Sequence, residues 1–319
     1  MTAIYSAPMM KCTDHHCRFF YSLLSTKFYL FTEMIPCGAL IYNSKRLLKP
    51  ELFKSNKVIL QLGGSKPEDF LKATYVAKEL GFEEVNINCG CPSPKVQKGN
   101  FGVSLMLDPP LVSECFSAVN SVNNINCSIK NRLGIGHDFK FEFLRKFISH
   151  LTDAGCNKFY VHARNAILEK FSTKDNQNIP PLNYEYVYDL KKEFNNIEFI
   201  LNGGLNKNNI KIILKNSLDG LMFGRAFYDN PWFIRDLHND IHAESKLTTT
   251  RFDVIESVLN YSLGKPNSQI KNIFRHMFHL FKGLPLSKIW KRTISEVIFQ
   301  KKLKLVEEFT YRYKGKFNF

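Results

Sequence analysis

The amino-acid sequence predicts an α/β fold, a (β/α)8 TIM barrel followed by a small α-helical C-terminal domain. Eight short apolar segments with strand character alternate with helical segments over roughly the first 240 residues, the number and length expected of such a barrel. Polar side chains and glycines follow these segments at their carboxyl ends, where barrels carry their functional groups. After Trp232 only helical periodicity continues, so helices alone follow the barrel.

The predicted strands are short, rich in apolar or β-branched residues, and bounded by Gly, Pro or polar turns. They span Ile4–Met9, Tyr29–Ile35, Val58–Gly64, Glu84–Asn88, Cys127–Leu133, Lys158–His162, Glu198–Asn202 and Gly220–Phe223. An open, doubly wound sheet is the alternative architecture. It typically carries a Gly-x-Gly-x-x-Gly turn after its first strand, and this sequence has none, which favours the barrel.

Helical periodicity fills the segments between the strands. Pro67 opens one helix, with Ser65 as its predicted N-cap and Gly81 just past its last turn. Further barrel helices are predicted at Asp138–Gly155, Tyr184–Phe194 and Asn208–Leu214. Beyond the barrel, helices are predicted at 233–241, 251–263, 268–281 and 285–309. The chain is therefore expected to divide into a barrel domain, residues 1–240, and a helical domain, residues 241–319.

The chain is strongly basic, with a net charge of +15 and a pI near 9.4. Such a charge indicates a polyanionic partner such as nucleic acid, although an AT-rich genome that inflates Lys and Asn is an alternative explanation. The excess is concentrated at one end. Residues 241–319 hold fifteen Lys and Arg against six Asp and Glu, a net +9. Because a genome bias would spread the charge more evenly, the last quarter of the chain is predicted to be a separate basic module.

The eight cysteines are irregularly spaced and do not form the pattern of a disulfide framework. The N-terminus lacks the features of a signal peptide, and no apolar run is long enough to span a bilayer. We therefore expect a cytoplasmic protein without membrane association. We also expect it to be a monomer. Cys12, His15, His16 and Cys17 match no closed zinc pattern, so we expect no metal.

Cys91 follows the fourth predicted strand, on a turn built from Gly90 and Pro92. Reactive groups of parallel barrels lie at the carboxyl ends of the strands, which is where this thiol is placed. From the sequence pattern alone Cys91 can be a nucleophile, a metal ligand, an acid or a small buried side chain.

Other predicted strands end in groups that suit a phosphate and an electron-rich ring. Gly203-Gly204 and Gly224-Arg225 supply the bare backbone and the guanidinium of a barrel phosphate site. Lys130 can place positive charge beside a reduced flavin, and His162 and Gln61 can hold the polar edge of its ring. Each residue alone is more often structural. Their occurrence at one end of successive strands is what favours a flavin site.

Seven segments together resemble the tRNA-dihydrouridine synthases. They occur in the order and at the spacing of that family: Ala7-Pro8-Met9, Gln61-Leu62-Gly63-Gly64, Asn86–Pro92, Lys130-Asn131-Arg132, His162-Ala163-Arg164, Asn202-Gly203-Gly204 and Gly224-Arg225. The similarity runs through residues 4–235 and continues into the basic module. It is greatest to the bacterial A-type enzymes, which act on D-loop uridines at tRNA positions 20 and 20a.

The resemblance implies FMN-dependent reduction of uridine in tRNA to 5,6-dihydrouridine, with NADPH as the source of electrons. It implies that Cys91 is the proton donor, which requires a neutral thiol whose pKa is not strongly depressed. Cys89, two residues earlier, is expected to be structural. The resemblance further implies that FMN is contacted by Ala7, Pro8, Met9, Gln61, Lys130, His162, Asn202, Gly203, Gly204, Gly224 and Arg225.

The resemblance also implies contacts with the tRNA substrate. Asn88 is expected at the edge of the uracil, while basic side chains bind phosphates as the target base leaves its stack. The predicted substrate contacts are Asn88, Arg164, Lys174, Arg275, Lys288, Lys291 and Arg292. For any one of the basic residues in the last helices, a solvated helix face is the alternative interpretation.

The sequence leaves two alternative functions to be distinguished. A flavin barrel oxidoreductase acting on a free pyrimidine, similar to dihydroorotate dehydrogenase, would leave the basic helices without a purpose. A non-catalytic RNA-binding protein would leave the groups at the strand ends without one.

Overall fold

The structure, a computed structural model, describes residues 2–48, 57–137, 140–169 and 171–316. In these residues nine parallel strands form one sheet. They are β1 (Ala3–Ser6), β2 (Leu30–Phe31), β3 (Ile35–Pro36), β4 (Val58–Gly63), β5 (Glu84–Cys89), β6 (Asn126–Arg132), β7 (Lys158–His162), β8 (Glu198–Asn202) and β9 (Gly220–Phe223).

The sheet closes into a barrel. Its order is β1-β9-β8-β7-β6-β5-β4-β2, and β3 also pairs with β4, so β2 and β3 share one of eight positions. The circle closes between β2 and β1, where the Ser6 N–H donates to the Tyr29 carbonyl at 2.9 Å and the Tyr29 N–H donates to the Ile4 carbonyl at 2.9 Å. The predicted (β/α)8 barrel is thereby confirmed.

One predicted strand, Tyr29–Ile35, is divided into β2 and β3. The cause is Thr32, whose hydroxyl accepts the backbone N–H of Gln61 at 3.0 Å and donates to the carbonyl of Glu33 at 2.7 Å. A side chain thus replaces a backbone carbonyl in the ladder, and the regular strand is interrupted at this point.

The α-helices of the described residues follow in chain order. They are α1 (His15–Ser22), α2 (Cys37–Leu47), α3 (Pro67–Glu79), α4 (Pro94–Gln97), α5 (Pro109–Asn120), α6 (Phe141–Asp153), α7 (Asp175–Asn178), α8 (Glu185–Glu193), α9 (Ile210–Ile213), α10 (Arg225–Asp229), α11 (Trp232–Ile241), α12 (Arg251–Ser262), α13 (Asn267–Phe274), α14 (Ser287–Gln300) and α15 (Lys304–Tyr313). Short 3-10 helices lie at Gly102–Leu107, Ala243–Ser245 and Arg275–Met277.

Several helix boundaries differ from the sequence prediction. The helix predicted at 268–281 ends as α13 at Phe274 and continues only as a 3-10 segment to Met277. The N-cap of α3 is Lys66 and not Ser65, because Pro67 occupies the first helical position. The helix predicted at 285–309 is two helices, α14 and α15, because Lys301 adopts a left-handed conformation (φ 56°) that ends α14. For the helix predicted at 138–155, residues 138 and 139 lie outside the described part of the chain, and α6 begins at Phe141.

The barrel interior is filled by buried side chains that come from most of its strands. Tyr5 and Tyr160 pack edge to face with ring centroids 5.1 Å apart, and Phe31 meets Tyr160 in the same way at 5.0 Å. The cluster consists of Tyr5, Ala7, Phe31, Ile59, Tyr160, Ile200 and Met222. The barrel is therefore packed below its carboxyl-terminal end, which leaves that end for the polar residues.

By their contacts, the described residues form two compact units. The barrel unit consists of residues 2–10, 29–48 and 57–223, and the helical unit of residues 11–28 and 224–316. These bounds differ from the division predicted at residue 240. The helical unit includes α1, α10 and α11, because residues such as Phe28 and Phe227 stack within it at a ring-centroid distance of 6.2 Å.

The helical unit has its own aromatic core. Trp290 is fully buried, its indole N–H donates to the Met277 carbonyl at 2.7 Å, and its ring lies 4.9 Å from that of Phe309. No helix in the described part of the chain is long and apolar enough to cross a membrane. Within the described ranges, no group of three or more His, Cys, Asp or Glu side chains is arranged to hold a metal ion.

Candidate active site

Cys91 lies on a turn that directly follows β5. The side-chain oxygen of Asn88 accepts the backbone N–H of Cys91 at 2.9 Å and that of Gly90 at 3.2 Å. The carbonyl of Cys91 accepts the N–H of Val103 at 3.1 Å. Both the backbone N–H and the backbone carbonyl of Cys91 are thus hydrogen-bonded, which fixes the position of the backbone from which the thiol side chain extends.

Gly102 supports the same turn from beneath. Its φ is 76°, in the left-handed region, and a Cβ atom there would lie 2.6 Å from the carbonyl oxygen of Cys91. The same Cβ would meet Val96 Cγ1 at 2.5 Å. Both the backbone conformation and the lack of space require glycine at this position.

Arg132 ties the Cys91 turn to a neighbouring loop. Its Nε donates to the Gly90 carbonyl at 2.9 Å, and its Nη1 donates to the carbonyls of Asn165 and Asn176 at 2.9 and 3.0 Å. Gly90 lies in the loop after β5, whereas Asn165 and Asn176 lie in the segment after β7, Asn176 within α7, and the guanidinium that joins them is buried. The fixed fork of an Arg side chain can hold several acceptors at once, so this residue sets the distance between the two loops.

The Cys91 thiol is half-buried, and burial raises its pKa. A backbone hydrogen bond at Ser93 and the positive charges of Arg132 and Lys130 act in the opposite direction. The thiol is therefore protonated near neutral pH, as an acid must be. Cys89 is fully buried, and burial raises its pKa well above the ordinary value, which fits an inert structural side chain.

Lys130 projects from β6 beside β8. Its Nζ donates to the side-chain oxygen of Asn202 at 3.1 Å, and the Asn202 amide donates to the Met222 carbonyl at 2.9 Å. Burial, and to a lesser degree the charge of Arg132, lowers the pKa of Lys130 to about 7. An anionic group bound beside this ammonium favours its charged form, so the residue is suited to an anion-binding pocket.

Gln61 and Asn88 are directly linked. The Gln61 amide nitrogen donates to the side-chain oxygen of Asn86 at 2.8 Å, and the Asn88 amide nitrogen donates to the side-chain oxygen of Gln61 at 2.8 Å. All three side chains are buried. The structure thus brings two predicted site residues together and adds Asn86 to them.

A bare stretch of backbone follows β8 at Gly203 and Gly204, whose φ values are 112° and 64°. A Cβ at Gly203 would lie 2.6 Å from the His162 ring, and one at Gly204 would lie 2.5 Å from Leu182. The hydroxyl of Tyr184 donates to the Gly203 carbonyl at 2.7 Å. The turn therefore requires glycine at both positions, and of the two Gly203 is buried while Gly204 is exposed.

The remaining predicted cofactor residues lie at the ends of β1 and β9. Ala7 is buried and its N–H donates to the Phe223 carbonyl at 2.7 Å, while Pro8 and Met9 are half-buried just beyond it. Gly224 is the N-cap of α10, and Arg225 is the exposed first residue of that helix. By contacts, Gly224 and Arg225 belong to the helical unit and the others to the barrel unit.

A family model described as "Dihydrouridine synthase (Dus)" matches residues 5–314. The chain belongs to this family. Among its relatives, a protein from Synechocystis sp. is 38% identical over 292 residues, covering 91% of this chain and 87% of the relative. Proteins from Vibrio parahaemolyticus and Escherichia coli K12 are each 37% identical over 294 residues, with 91% of this chain and 90% and 85% of the relatives covered.

All three relatives are named tRNA-dihydrouridine(20/20a) synthase. The family resemblance predicted from the sequence is thereby confirmed, including its greatest similarity to the 20/20a enzymes. The matched range spans both units of this dihydrouridine synthase family member, so the basic helices belong to the family pattern as much as the barrel does.

Two predicted substrate contacts of this family member lie after β7. Arg164 is half-buried, and its Nη1 donates to the carbonyl of Pro180. Lys174 is exposed at the start of α7. The buried Asn165 donates its side-chain amide to the Gly136 carbonyl. In the structure, Arg164 and Asn165 position this loop through backbone carbonyls.

The other predicted substrate contacts lie in the helical unit. Arg275 forms an ion pair with Asp14. Lys288 is exposed, Lys291 lies with its Nζ 5.6 Å from the ring centroid of Phe278, and Arg292 pairs with Glu296 of the same helix at 2.9 Å. Their contacts with tRNA stay a prediction.

Sequence reasoning missed several residues that build the site. Glu84 and Asn86 of β5 share one face with Asn88, because side chains at alternate positions of a strand point the same way. This two-residue periodicity was visible in the sequence and could have indicated Glu84 and Asn86. Gly102 had no comparable signal, because it contacts the Cys91 turn from a separate segment of the chain.

Proposed function

We propose that this dihydrouridine synthase family member reduces uridine to 5,6-dihydrouridine at positions 20 and 20a of tRNA. We propose further that it uses bound FMN and NADPH, that Cys91 is the proton donor, and that it acts in the cytoplasm as a monomer without a metal. The observation that carries the proposal is the half-buried, protonated Cys91 thiol at the barrel end that also holds Lys130 and Gly203. The names of its relatives support the tRNA substrate.

The residues at this end fit FMN. We propose that the glycine turn at Gly203 and Gly204 binds the phosphate through its backbone N–H groups, as glycine turns after the late strands of a barrel do. Lys130 donates to Asn202, the residue directly before Gly203, and an anion bound beside its ammonium favours the protonated form. We propose that these groups hold the cofactor together with Ala7, Pro8, Met9, Gln61, His162, Asn202, Gly224 and Arg225.

Bound FMN, reduced by NADPH, supplies the hydride for C6 of the uracil ring. The protein must then deliver a proton to C5, and we propose that the Cys91 S–H donates it. The proton leaves the sulfur as the C5–H bond forms, and a thiolate is left behind. Arg132 and Lys130 favour that thiolate electrostatically, and a proton from solvent restores the thiol.

The basic helical unit suits binding of tRNA phosphates. Its sequence carries most of the net positive charge of the chain, and Lys288 and Arg292 are exposed on α14. We propose Arg164, Lys174, Arg275, Lys288, Lys291 and Arg292 as phosphate contacts and Asn88 as a contact with the uracil. Affinity for tRNA should then fall as salt concentration rises.

The test compares Cys91→Ala with Cys12→Ala in purified full-length protein. Cys12 and Cys91 are the two half-buried thiols in the described part of the chain, and Cys12 lies in the helical unit, so it is the matched control. We expect Cys91→Ala to keep the FMN absorbance spectrum and to lose dihydrouridine formation by at least about a hundredfold. Cys12→Ala should retain both.

The substrate is tRNA from a strain that lacks the gene, and dihydrouridine is mapped by position. A wild-type protein that binds no flavin refutes the enzymatic proposal. Reduction of free uridine but not of tRNA favours the pyrimidine reductase similar to dihydroorotate dehydrogenase. Full turnover by Cys91→Ala excludes Cys91 as the acid.

A further inference from the structure

A chain of buried hydrogen bonds runs through the barrel from its amino-terminal end to the Cys91 turn. Its members lie on β4, β5 and β6 and belong to the barrel unit. In order they are Glu84, Ser128, Asn86, Gln61, Asn88 and the backbone N–H of Cys91. The proposed function uses the last three. Glu84, Ser128 and Asn86 have no role in it so far.

Glu84, the first residue of β5, is the lower end of the chain. Its side chain is only 12% exposed, and one carboxylate oxygen accepts the Ser128 hydroxyl at 2.7 Å. Lys158 approaches the other oxygen at 3.0 Å, and the Tyr160 hydroxyl donates to the first at 3.1 Å. An ionised carboxylate has no hydrogen to give, so Glu84 can act only as an acceptor.

This acceptor determines the direction of every later bond. Because Ser128 donates its one hydrogen to Glu84, it can only accept from Asn86, whose amide nitrogen lies 2.9 Å from the hydroxyl. The side-chain oxygen of Asn86 then faces Gln61 and accepts its amide nitrogen at 2.8 Å. Gln61 in turn presents its oxygen to the amide nitrogen of Asn88 at 2.8 Å.

The end of the hydrogen-bond chain at the Cys91 turn requires the same donor-to-acceptor direction. The backbone N–H groups of Gly90 and Cys91 can only donate, so Asn88 must turn its side-chain oxygen toward them, as it does. A carboxylate at one end and two N–H groups at the other therefore agree on the orientation of every amide between them. The interior amides are buried, where an unpaired polar group is costly, so a reversed amide is disfavoured.

We propose that Glu84 is a positioning residue of this active site, which acts through Ser128 and Asn86 to orient the Gln61 and Asn88 amides and so holds the Cys91 turn. Its effect on turnover rests on the proposed function, whereas its effect on the turn does not. Glu84 itself is the first residue of β5, and Cys91 follows the other end of that strand, so Glu84 acts on the Cys91 turn only through the residues between them.

The matched variants are Glu84→Met and Glu84→Gln. Both remove the charge that faces Lys158, but only Gln keeps an oxygen that can accept the Ser128 hydroxyl. Any difference between them therefore reports the hydrogen bond and not the ion pair. Ser128→Ala breaks the next link by the loss of a single oxygen atom, so it serves if a variant at position 84 fails to fold.

The first measurement is the rate at which iodoacetamide alkylates Cys91 in full-length protein, followed by mass spectrometry, with Cys12 as the internal reference. We expect Glu84→Met and Ser128→Ala to accelerate alkylation of Cys91 about tenfold, the factor that corresponds to one hydrogen bond of ordinary net strength. Glu84→Gln should match the wild type. The second measurement is turnover on tRNA, where kcat should fall by a similar factor with KM unchanged and return in Glu84→Gln.

Equal alkylation rates in the wild type, Glu84→Met and Ser128→Ala would overturn the proposal. Equal acceleration in Glu84→Met and Glu84→Gln would also overturn it, because the charge beside Lys158 would then be the cause. If the alkylation pattern is as expected but the wild type forms no dihydrouridine, the proposed function fails and the positioning role of Glu84 stands.

Discussion

Replacement of Gly102 by alanine tests how closely the Cys91 turn is packed. The substitution has two separate costs, one from the backbone conformation and one from the contacts of the added Cβ. The left-handed backbone costs a residue with a Cβ about 1 kcal/mol, wherever it occurs. The added carbon would also lie 2.6 Å from the Cys91 carbonyl oxygen, whereas ordinary contact begins at 3.4 Å, so the turn must move by about 0.8 Å.

Overpacking of a tight site costs about 1–3 kcal/mol, so we expect Gly102→Ala to destabilise folding by about 2–4 kcal/mol in total. A displacement approaching 1 Å in a catalytic group lowers the rate by up to about a hundredfold. We therefore expect kcat for dihydrouridine formation to fall between about tenfold and a hundredfold.

Gly81→Ala is the matched control. Gly81 has a φ of 83°, close to that of Gly102, and its added Cβ would meet no atom within 4 Å. It should lose only the backbone contribution of about 1 kcal/mol and keep full turnover. Urea denaturation and turnover on tRNA are measured for both variants. If Gly102→Ala matches Gly81→Ala in stability and in kcat, the close packing beneath Cys91 does not control the turn.

Two further predictions concern charge. Burial lowers the pKa of Lys130 to about 7 in the folded, cofactor-free protein. Between pH 7 and about 10 the unfolded protein therefore binds more protons at this residue than the folded protein does. The free energy of unfolding should consequently rise with pH over this range. The rise should be smaller in Lys130→Met, and identical pH profiles by urea denaturation would contradict the assignment. Lys288→Ala should reduce the slope of log affinity for tRNA against log salt by roughly 0.7–0.9, measured by filter binding. Lys192→Ala, exposed on α8 and paired with Asp189, should leave that slope unchanged, and equal slopes in both variants would exclude Lys288 as a phosphate contact.

Local sequence patterns were sufficient for most of the barrel. The strand at Lys158–His162 has the predicted bounds, because alternation and flanking polar residues are local properties. The strand at Tyr29–Ile35 could not be predicted correctly. Its interruption depends on a hydrogen bond from Gln61 to Thr32, which joins residues far apart in sequence. The break at Lys301 was missed for another reason, since a left-handed helix end without glycine has no clear sequence signal.

The candidate site shows the same division. Cys91, Lys130 and Gly203 could be predicted as candidate residues because each follows or lies within a recognisable strand. Ser128 was not found, because its importance lies in its pairing with Glu84 and Asn86, each more than forty positions away along the chain.

The sequence by itself determined the fold class, the family and the place of Cys91 after the fourth predicted strand. These follow from periodicity, turn residues and motif order, which are properties of short segments. Only the tertiary structure decided that Glu84, Asn86 and Asn88 carry one directed chain of hydrogen bonds, that Gly102 lies against Cys91, and that Arg132 holds two loops together. The physical reason is that each of these contacts depends on strand register and loop approach, which arise only when distant segments pack.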